Sequence, residues 1–381
     1  MTLLDTVYKD AVNCCGCSLC EYVCSLNAVS MKYENGFLFP EIDNNLCVNC
    51  GKCQKLCPFL KISKNSESQT CFAAKHKDNE IRKESSSGGV FTALSDAILK
   101  RNGIIAGAVY NDQMELIHTA AESFEERDRM RGSKYIQSNC TGIYKKIKEA
   151  LLQDREVLFC GTPCEVAAVK NAFPNSDKLY LADIICHGVP SPQVWRNFVE
   201  YLEKRYSNKL CDYKFRDKTQ GWRTYSALAR FTNGQTETNN DITGSYIELF
   251  RYDVCLRPSC TVCPYTDSFR PGDITIGDFW GIENIIPEID DNKGVSAVIC
   301  NTDKGRLLLD SVKSDLLLYE CSVEDIKKRQ PNLSHPSSCS NKAEAFNKDL
   351  NSMPFDKILH KYTRVGLKRK MIDFTKKVLK K

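Results

Sequence analysis

The chain is 381 residues long, 42% hydrophobic and 27% charged, the composition of an ordinary folded protein with room for more than one unit. No apolar run approaches the roughly eighteen residues of a membrane span, and the opening MTLLDTVYKD lacks the apolar centre of a secretory signal, so a cytoplasmic protein is expected. The net charge of +5 belongs to one end, because ten Lys/Arg and a single acid, Asp373, fall between Lys357 and Lys381.

Residues 1–62 carry CCGCSLCEYVC, in which Cys14, Cys17, Cys20 and Cys24 stand at CxxCxxCxxxC spacing, and the spacing returns at Cys47, Cys50, Cys53 and Cys57, followed by Pro58. This is the bacterial ferredoxin run written twice. Three thiolates of each run bind one 4Fe-4S cluster, while the fourth, beyond a gap that opens a short helix, crosses to the other. The predicted ligand sets are Cys14, Cys17, Cys20 and Cys57 for one cluster and Cys24, Cys47, Cys50 and Cys53 for the second. Cys15 is left over as a spare or buried thiol, and Ser25 stands where the second run has Pro58. Zinc takes two CxxC pairs and has no use for the third and fourth cysteine of each run. A disulfide framework suits neither the odd total of 21 cysteines nor a reducing compartment.

Residues 63–70, within the polar and aperiodic KISKNSESQT, read as a linker. CFAAKH is then a predicted strand, and KESSSGGV leads into a helix over FTALSDAILK whose Val90, Leu94, Ala97 and Ile98 share a face. GIIAGAVY is a strand, SFEERDRMR a charged helix, and GSKYIQS a loop. REVLFC runs as a strand into the turn GTPC and the helix EVAAVKNAF, and KLYLADIIC is a strand ending at CHGVPSPQVW. Such alternation predicts parallel strands covered by helices. Asn233-Gly234 in TYSALARFTNGQ signals a hairpin, so part of the domain is antiparallel, and GVSAVICNT with TDKGRLLLDSVKSD closes on another strand and helix. The second domain divides into 71–150 and 151–330, followed by a basic helical tail over 331–381.

In that tail Leu367, Met371, Phe374 and Val378 fall at helical spacing on a lysine-rich background. The stripe would pack on the parent domain or dock on an anionic membrane surface or an acidic partner. Nucleic acid is not expected, since no groove-reading motif accompanies the charge.

A third cysteine group lies in VCLRPSCTVCPYTDSFRPGDITIGDFWGI, where Cys260 and Cys263 form a CxxC and Cys255 precedes them. Cys164 and Cys186 sit at strand ends, where loops carry function in an α/β fold. Converging, these cysteines can ligate a third 4Fe-4S cluster. Cys71, Cys140, Cys160, Cys211, Cys300, Cys321 and Cys339 read as small apolar residues. Ser86, Ser87, Gly88 and Gly89 precede a helix and offer backbone N–H groups to an anion, as do Gly161 and Thr162.

The strings ESSSGGVFTAL, RGSKYIQS, FCGTPCEVAAV, ICHGVPSPQVW, KFRDKTQGW and DITIGDFWG resemble the family of coenzyme F420 hydrogenase/dehydrogenase beta subunits, in its version with a fused two-cluster ferredoxin domain. The resemblance runs from about residue 10 to residue 320. It implies an α+β chain: a small ferredoxin-like domain, a mixed α/β domain binding FAD beside a third cluster, and the basic C-terminal helix. The family's shared cysteines fall on Cys164, Cys186, Cys260 and Cys263, with Cys255 in reserve. FAD would lie near Ser86–Gly89, Gly161 and Thr162, with Lys134 and Tyr135 as contacts, and His187, Lys134 and Asp278 are the candidate catalytic groups. The implied activity is an oxidoreductase passing electrons, in either direction, between the ferredoxin-type clusters, served by a redox protein or partner enzyme, and a hydride exchanged at FAD with coenzyme F420 or another reducible small molecule. The alternative is an electron-transfer subunit without turnover of its own.

Overall fold

The computed structural model describes residues 7–8, 10–65, 68–238 and 241–365. In the first unit the short helices Leu19–Val23 and Lys52–Leu56 follow the two cysteine loops, and strands β1 (Val29–Glu34) and β2 (Phe37–Ile42) pair antiparallel between them. Their turn, Asn35-Gly36, has φ of 49° and 81°, left-handed values that this dipeptide adopts readily. This hairpin is additional to the elements expected from the sequence, although Asn35-Gly36 carries its signal.

The second unit contributes β3 (Thr70–His76), β4 (Ile104–Tyr110), β5 (Leu116–Ala121), β6 (Val157–Gly161), β7 (Leu179–Ile184), β8 (Leu210–Asp217), β9 (Ser226–Phe231), β10 (Thr236–Thr238), β11 (Ile274–Asp278), β12 (Ser296–Cys300) and β13 (Leu316–Cys321). One sheet runs in the order β13-β3-β12-β11-β7-β6-β4-β5. Its centre, β11, β7, β6 and β4, is parallel, and the outer pairings on both sides are antiparallel. β8, β9 and β10 form a separate antiparallel sheet, with β9 and β10 joined around Asn233-Gly234. The expected parallel α/β pattern therefore holds for the sheet's middle, where crossover helices link successive strands.

Side chains alternate across the central strands, as the period of two requires. Ile105, Val109 and Leu158 face the helix Val90–Lys100, whose Val90, Ala93, Leu94 and Ile98 are buried with them. Ile104, Ala106, Val157 and Phe159 face the other way, onto Ile143, Ile147, Val166 and Val169 of the helices Ile143–Leu152 and Pro163–Ala172. Cys15, Cys17, Leu19 and Val23 of the first unit join this second face, so the cluster domain completes a layer over the sheet.

The segment 63–70 is anchored along its described part. Ser63 Oγ donates to Asn171 Oδ1 at 2.6 Å, Asn65 N–H to Arg270 O at 2.9 Å, and Gln69 Nε2 to Ser268 O at 2.7 Å. Near the C-terminus the helices Ala343–Leu350 and Phe355–Tyr362 bury Phe346, Ile358 and Leu359 against Phe198 and Tyr213. The stripe of Leu367, Met371, Phe374 and Val378 lies outside the described residues. No helix among the described residues is long and apolar enough to cross a membrane.

The two units meet with no space to spare at Gly16. Its φ is 71°, and a Cβ there would lie 2.1 Å from Gln137 Nε2 and 2.9 Å from Leu38 O. Gly16→Ala should destabilise the chain by at least about 1–2 kcal/mol, the cost of a left-handed residue with a Cβ. An unchanged midpoint of thermal unfolding would contradict this close approach.

Candidate metal centres and cofactor cleft

Each cysteine loop curls because left-handed residues flank its second cysteine. Gly16 and Ser18 flank Cys17 at φ 71° and 62°, and Asn49 and Gly51 flank Cys50 at φ 54° and 70°. Tight turning of this kind brings thiols separated by two residues to one point. Cys20 lies with Cys17, Cys14 and Cys57; burial first, then these three neighbours, push its thiol well above the usual range. Burial, then Cys17, with Cys14 also contributing, pushes Cys57 up to about 12. Burial also raises Cys53, whose neighbours include Cys50 and Cys24. Cys47 heads the same loop, its Sγ 3.9 Å from Asn49 Oδ1. Cys57 of the second run thus sits with three cysteines of the first, and Cys24 of the first with the second. Cys17 of the inner set is buried in the core group on the sheet and Cys53 of the outer set packs against it, whereas Cys50 of the outer set is exposed.

A third group forms at the end of the central strands. Cys164 opens the helix after β6, Cys186 follows β7, and Cys260 and Cys263 flank the end of a short 3-10 turn, Pro258–Val262. Burial, followed by Cys260, Cys164 and Cys263, raises Cys186 well above the ordinary thiol range. Burial pushes Cys260 and Cys263 up to about 12, with Cys164 contributing to both. The buried pair Arg270–Asp183 anchors this group: Arg270 Nε donates to Asp183 Oδ1 at 3.0 Å, and Nη2 to Ile184 O at 2.8 Å. Cys255 stands apart, buried in the aromatic core with Trp195 and Tyr246. Its thiol is raised by burial and then by Asp253, with no contribution from the other three loops.

Buried hydrogen bonds join the inner set to the second unit. Arg257 Nε donates to Cys14 O at 2.7 Å, Nη2 to Leu38 O at 2.9 Å and Nη1 to Gln137 Oε1 at 3.1 Å. The same guanidinium lies 4.2 Å from the centre of the Phe39 ring. Tyr144 Oη donates to Cys17 O at 2.7 Å, and Tyr265 Oη to Pro58 O at 2.6 Å. Sequence reasoning missed Arg257 and Tyr265, although both lie within LRPSCTVCPY beside the predicted ligands.

The carboxyl edge of the parallel strands, where open α/β sheets bind ligands, collects the remaining motifs. Gly161 ends β6 and Thr162 follows it, Cys186 and His187 follow β7, and Asp278 ends β11. Gly88 reaches the same edge: its N–H donates to Ser296 Oγ at 2.9 Å, opposite Asp278 in the β11–β12 register. A Cβ on Gly88 would lie 2.3 Å from Ala74 O, which explains a glycine there. Ser87 Oγ is spent on Val295 O at 2.8 Å, and Thr162 and Glu165 cap their own helix, whereas Gly89 precedes a helix with no side-chain cap. Ser86 accepts from Ser133 N–H at 2.6 Å and opens on a cleft of about 1320 Å³, lined also by Arg129, Arg131, Lys134 and Arg216. Arg131 Nε and Tyr110 Oη in its wall are buried without a hydrogen-bond partner.

Residues 13–60 match the 4Fe-4S dicluster domain. Residues 71–145 match the N-terminal part, and residues 154–326 the C-terminal part, of the coenzyme F420 hydrogenase/dehydrogenase beta subunit. The chain belongs to that family of beta subunits. Over 175 residues it is 27% identical to one of the subunits of the F(420)H(2) dehydrogenase of Methanosarcina mazei, covering 41% of this chain and 47% of that protein, so the match spans about half of the relative. A chain of the F420-reducing NiFe hydrogenase complex from Methanosarcina barkeri aligns with 81% of this chain and 94% of its own, at 18% identity and a TM-score of 0.45.

In this beta-subunit relative the predicted titratable residues all hold structural partners. Burial draws the His187 pKa down, but the hydrogen bond from Nε2 to Asp253 Oδ1 at 2.6 Å, the charge of Asp253 and the bond to Asn332 together outweigh it and leave the group raised. Asp278 accepts from Arg216 Nη1 at 2.7 Å and Trp222 Nε1 at 3.0 Å. Tyr135 stacks on Phe250 with ring centres 4.5 Å apart. Lys134 donates to the carbonyls of Met130, Arg131 and Gly132 at 3.2, 3.0 and 3.3 Å, which holds the loop in the cleft wall. Cys140, expected as an apolar core residue, keeps polar company, with its Sγ 3.5 Å from His118 Nδ1 and 3.6 Å from Glu165 Oε1.

Burial lowers the Lys134 pKa to about 8. Below that pH its charge favours a phosphate in the cleft, and the charge is lost as pH rises through it. Affinity of the cleft for a phosphate-bearing ligand, read by calorimetry with ADP, should therefore weaken as pH rises through about 8. Lys134→Met should remove that step; a step that survives the substitution would assign the titration elsewhere.

Proposed function

We propose that this chain is an iron–sulfur flavoprotein oxidoreductase, passing electrons between three 4Fe-4S clusters and FAD, where coenzyme F420 or another reducible small molecule exchanges a hydride. The supporting observation is the packing of Cys164 of the third group with Cys17 of the inner set around Cys15, whose carbonyl accepts from Gln137 in the wall of the large cleft. Twelve thiols in three groups, most of them held protonated by burial and by one another, form a donor set suited to iron–sulfur clusters, whose assembly would release those protons. The cleft exceeds the roughly 300–1,000 Å³ of ordinary ligand sites, and its unpartnered Arg131 Nε and Tyr110 Oη suit a ligand rich in acceptors.

Ser86, Ser133, Arg131 and Lys134 would hold the FAD in that cleft. When bound, flavin supplies conversion between one two-electron hydride and two single electrons. The chain's own part is to fix the geometry: Arg216 and Trp222 orient Asp278 at the end of β11, and Arg270–Asp183 secures the loop of Cys260 and Cys263. Single electrons would leave through the outer set to a redox protein or partner enzyme.

A second reading, an electron-transfer subunit that turns over no substrate alone, draws support from the partners of His187, Lys134 and Asp278. Each is committed to protein groups and so offers no free acid or base.

Anaerobically purified protein should contain about twelve irons, from three four-iron clusters, together with one FAD. Stopped-flow bleaching of the flavin band by reduced coenzyme F420 or another hydride donor supports the enzyme. Bleaching that appears only with a partner protein supports the non-catalytic reading. Stoichiometric zinc without sulfide-to-iron absorption would sink both. Cys263→Ala should lose the third cluster and Cys255→Ala should retain it; the reverse outcome would return Cys255 to the ligand set.

A further inference from the structure

Outside the three ligand sets, one group of unlike donors is drawn together in the core. His118 lies on β5, and the segment 138–140 runs beside that strand: His118 N–H donates to Asn139 O at 2.9 Å and Asn139 N–H to Leu116 O at 2.9 Å. This pairing sets Cys140 Sγ 3.5 Å from His118 Nδ1. Glu165, in the first turn of the helix Pro163–Ala172, brings Oε1 to 3.6 Å from the same sulfur. The three side chains are buried, at 5%, 1% and 6% exposure, and one donor atom of each lies within 4.8 Å of the other two.

Each donor is aimed by a neighbour. His118 Nε2 meets Cys160 O at 3.3 Å. A carbonyl only accepts, so Nε2 carries the ring proton and Nδ1 of the neutral ring presents its lone pair. A carbonyl behind the second ring nitrogen is also the usual support of a metal-binding histidine. The ring stacks on Phe159 with centres 5.2 Å apart, and Thr162 N–H holds Glu165 Oε2 at 2.8 Å, which leaves Oε1 toward Cys140.

We propose that His118 Nδ1, Cys140 Sγ and Glu165 Oε1 form a metal site of their own, for a structural zinc ion, with Ser138 Oγ, 2.7 Å from Nδ1, at hand for the fourth position. Tetrahedral zinc with ordinary bond lengths sets its sulfur about 3.5–3.6 Å from its nitrogen and oxygen ligands. Those are the separations found here. Thiolate and carboxylate together neutralise the dication, so the occupied site brings no net charge into the core. Zinc takes the place of the Cys140 thiol proton, which leaves to solvent, and no electron moves. The ion ties β5 and the segment 138–140 to the helix that carries Cys164. None of the cluster cysteines is used, so the site stands independently of the three-cluster reading.

The test is iron and zinc analysis, with X-ray absorption at the zinc edge, on full-length wild type, Cys140→Ala and His118→Ala, grown with both metals and purified anaerobically. Wild type should hold about one zinc per chain beside its iron, in a shell of one sulfur with nitrogen and oxygen neighbours. Each variant should lose that zinc and keep the wild-type iron. The proposal is overturned by wild type that takes up no zinc even after dialysis against a zinc salt, by zinc retained in either variant, or by a shell of four sulfurs, which would place the zinc among cluster cysteines. Loss of four irons in Cys140→Ala would also overturn it, since Cys140 would then be a cluster ligand. Should a variant fail to fold, the sulfur count around zinc in wild type decides alone. Fewer than about twelve irons with a one-sulfur zinc would defeat the three-cluster reading and leave this site standing.

Discussion

A buried cation, Arg257, lies at the heart of the contacts that hold the two units of this chain in register. Arg257 is fully buried. Its donors are spent on the carbonyls of Cys14 and Leu38 and on Gln137, and aromatic faces of β2 surround it. A buried charge stripped of compensation costs about 3–5 kcal/mol. Here the compensation comes from carbonyls, π faces and the neighbouring Cys14 sulfur, whose pKa, raised by burial, Arg257 pulls back down. The cluster domain is therefore bound to the second domain by polar groups that water could replace only at a large cost.

That docking gives the sheet edge its chemistry. The carboxyl ends of parallel strands collect loops from distant parts of the sequence, and a mixed sheet lets the β3 loop join them through Ser296 of antiparallel β12. The third cysteine group and the lining of the cleft both depend on this edge. Once the first unit lies over the sheet's second face, the inner set comes into contact with the third through Cys15 and Tyr265. Proximity of redox centres is thus a consequence of layer packing, with each layer held by its own apolar face.

Several features were legible because they are local. The CxxCxxCxxxC runs need only a few residues to curl, and the left-handed pairs around Cys17 and Cys50 complete the same local turn. Central strands such as REVLFC and KLYLADIIC were readable because both of their faces are buried, which yields continuous apolar runs. β5, β8, β11 and β13 were passed over: β5 and β13 are edge strands, β8 edges the small sheet, and each of these three mixes exposed or polar positions into its run, while central β11 is only five residues long and holds Thr275, Gly277 and Asp278. The segment 63–70 reads as a polar linker by composition, yet its described side chains find partners on the second domain that no local pattern announces.

The sequence by itself determined the ferredoxin-type cysteine spacing, the family strings and the alternation of strands and helices, since these are written in residues adjacent along the chain. Only the tertiary structure decided which cysteines share a site. Cys255 is five residues from Cys260 in sequence but belongs to an aromatic core, whereas Cys164 lies nearly a hundred positions away and meets it at the sheet edge. It also decided that Lys134, His187 and Asp278 are engaged by protein partners, and that the leftover Cys15 is buried in one core group with Cys17 and Cys164. Contact across the fold depends on how layers pack, and spacing along the chain carries no record of that.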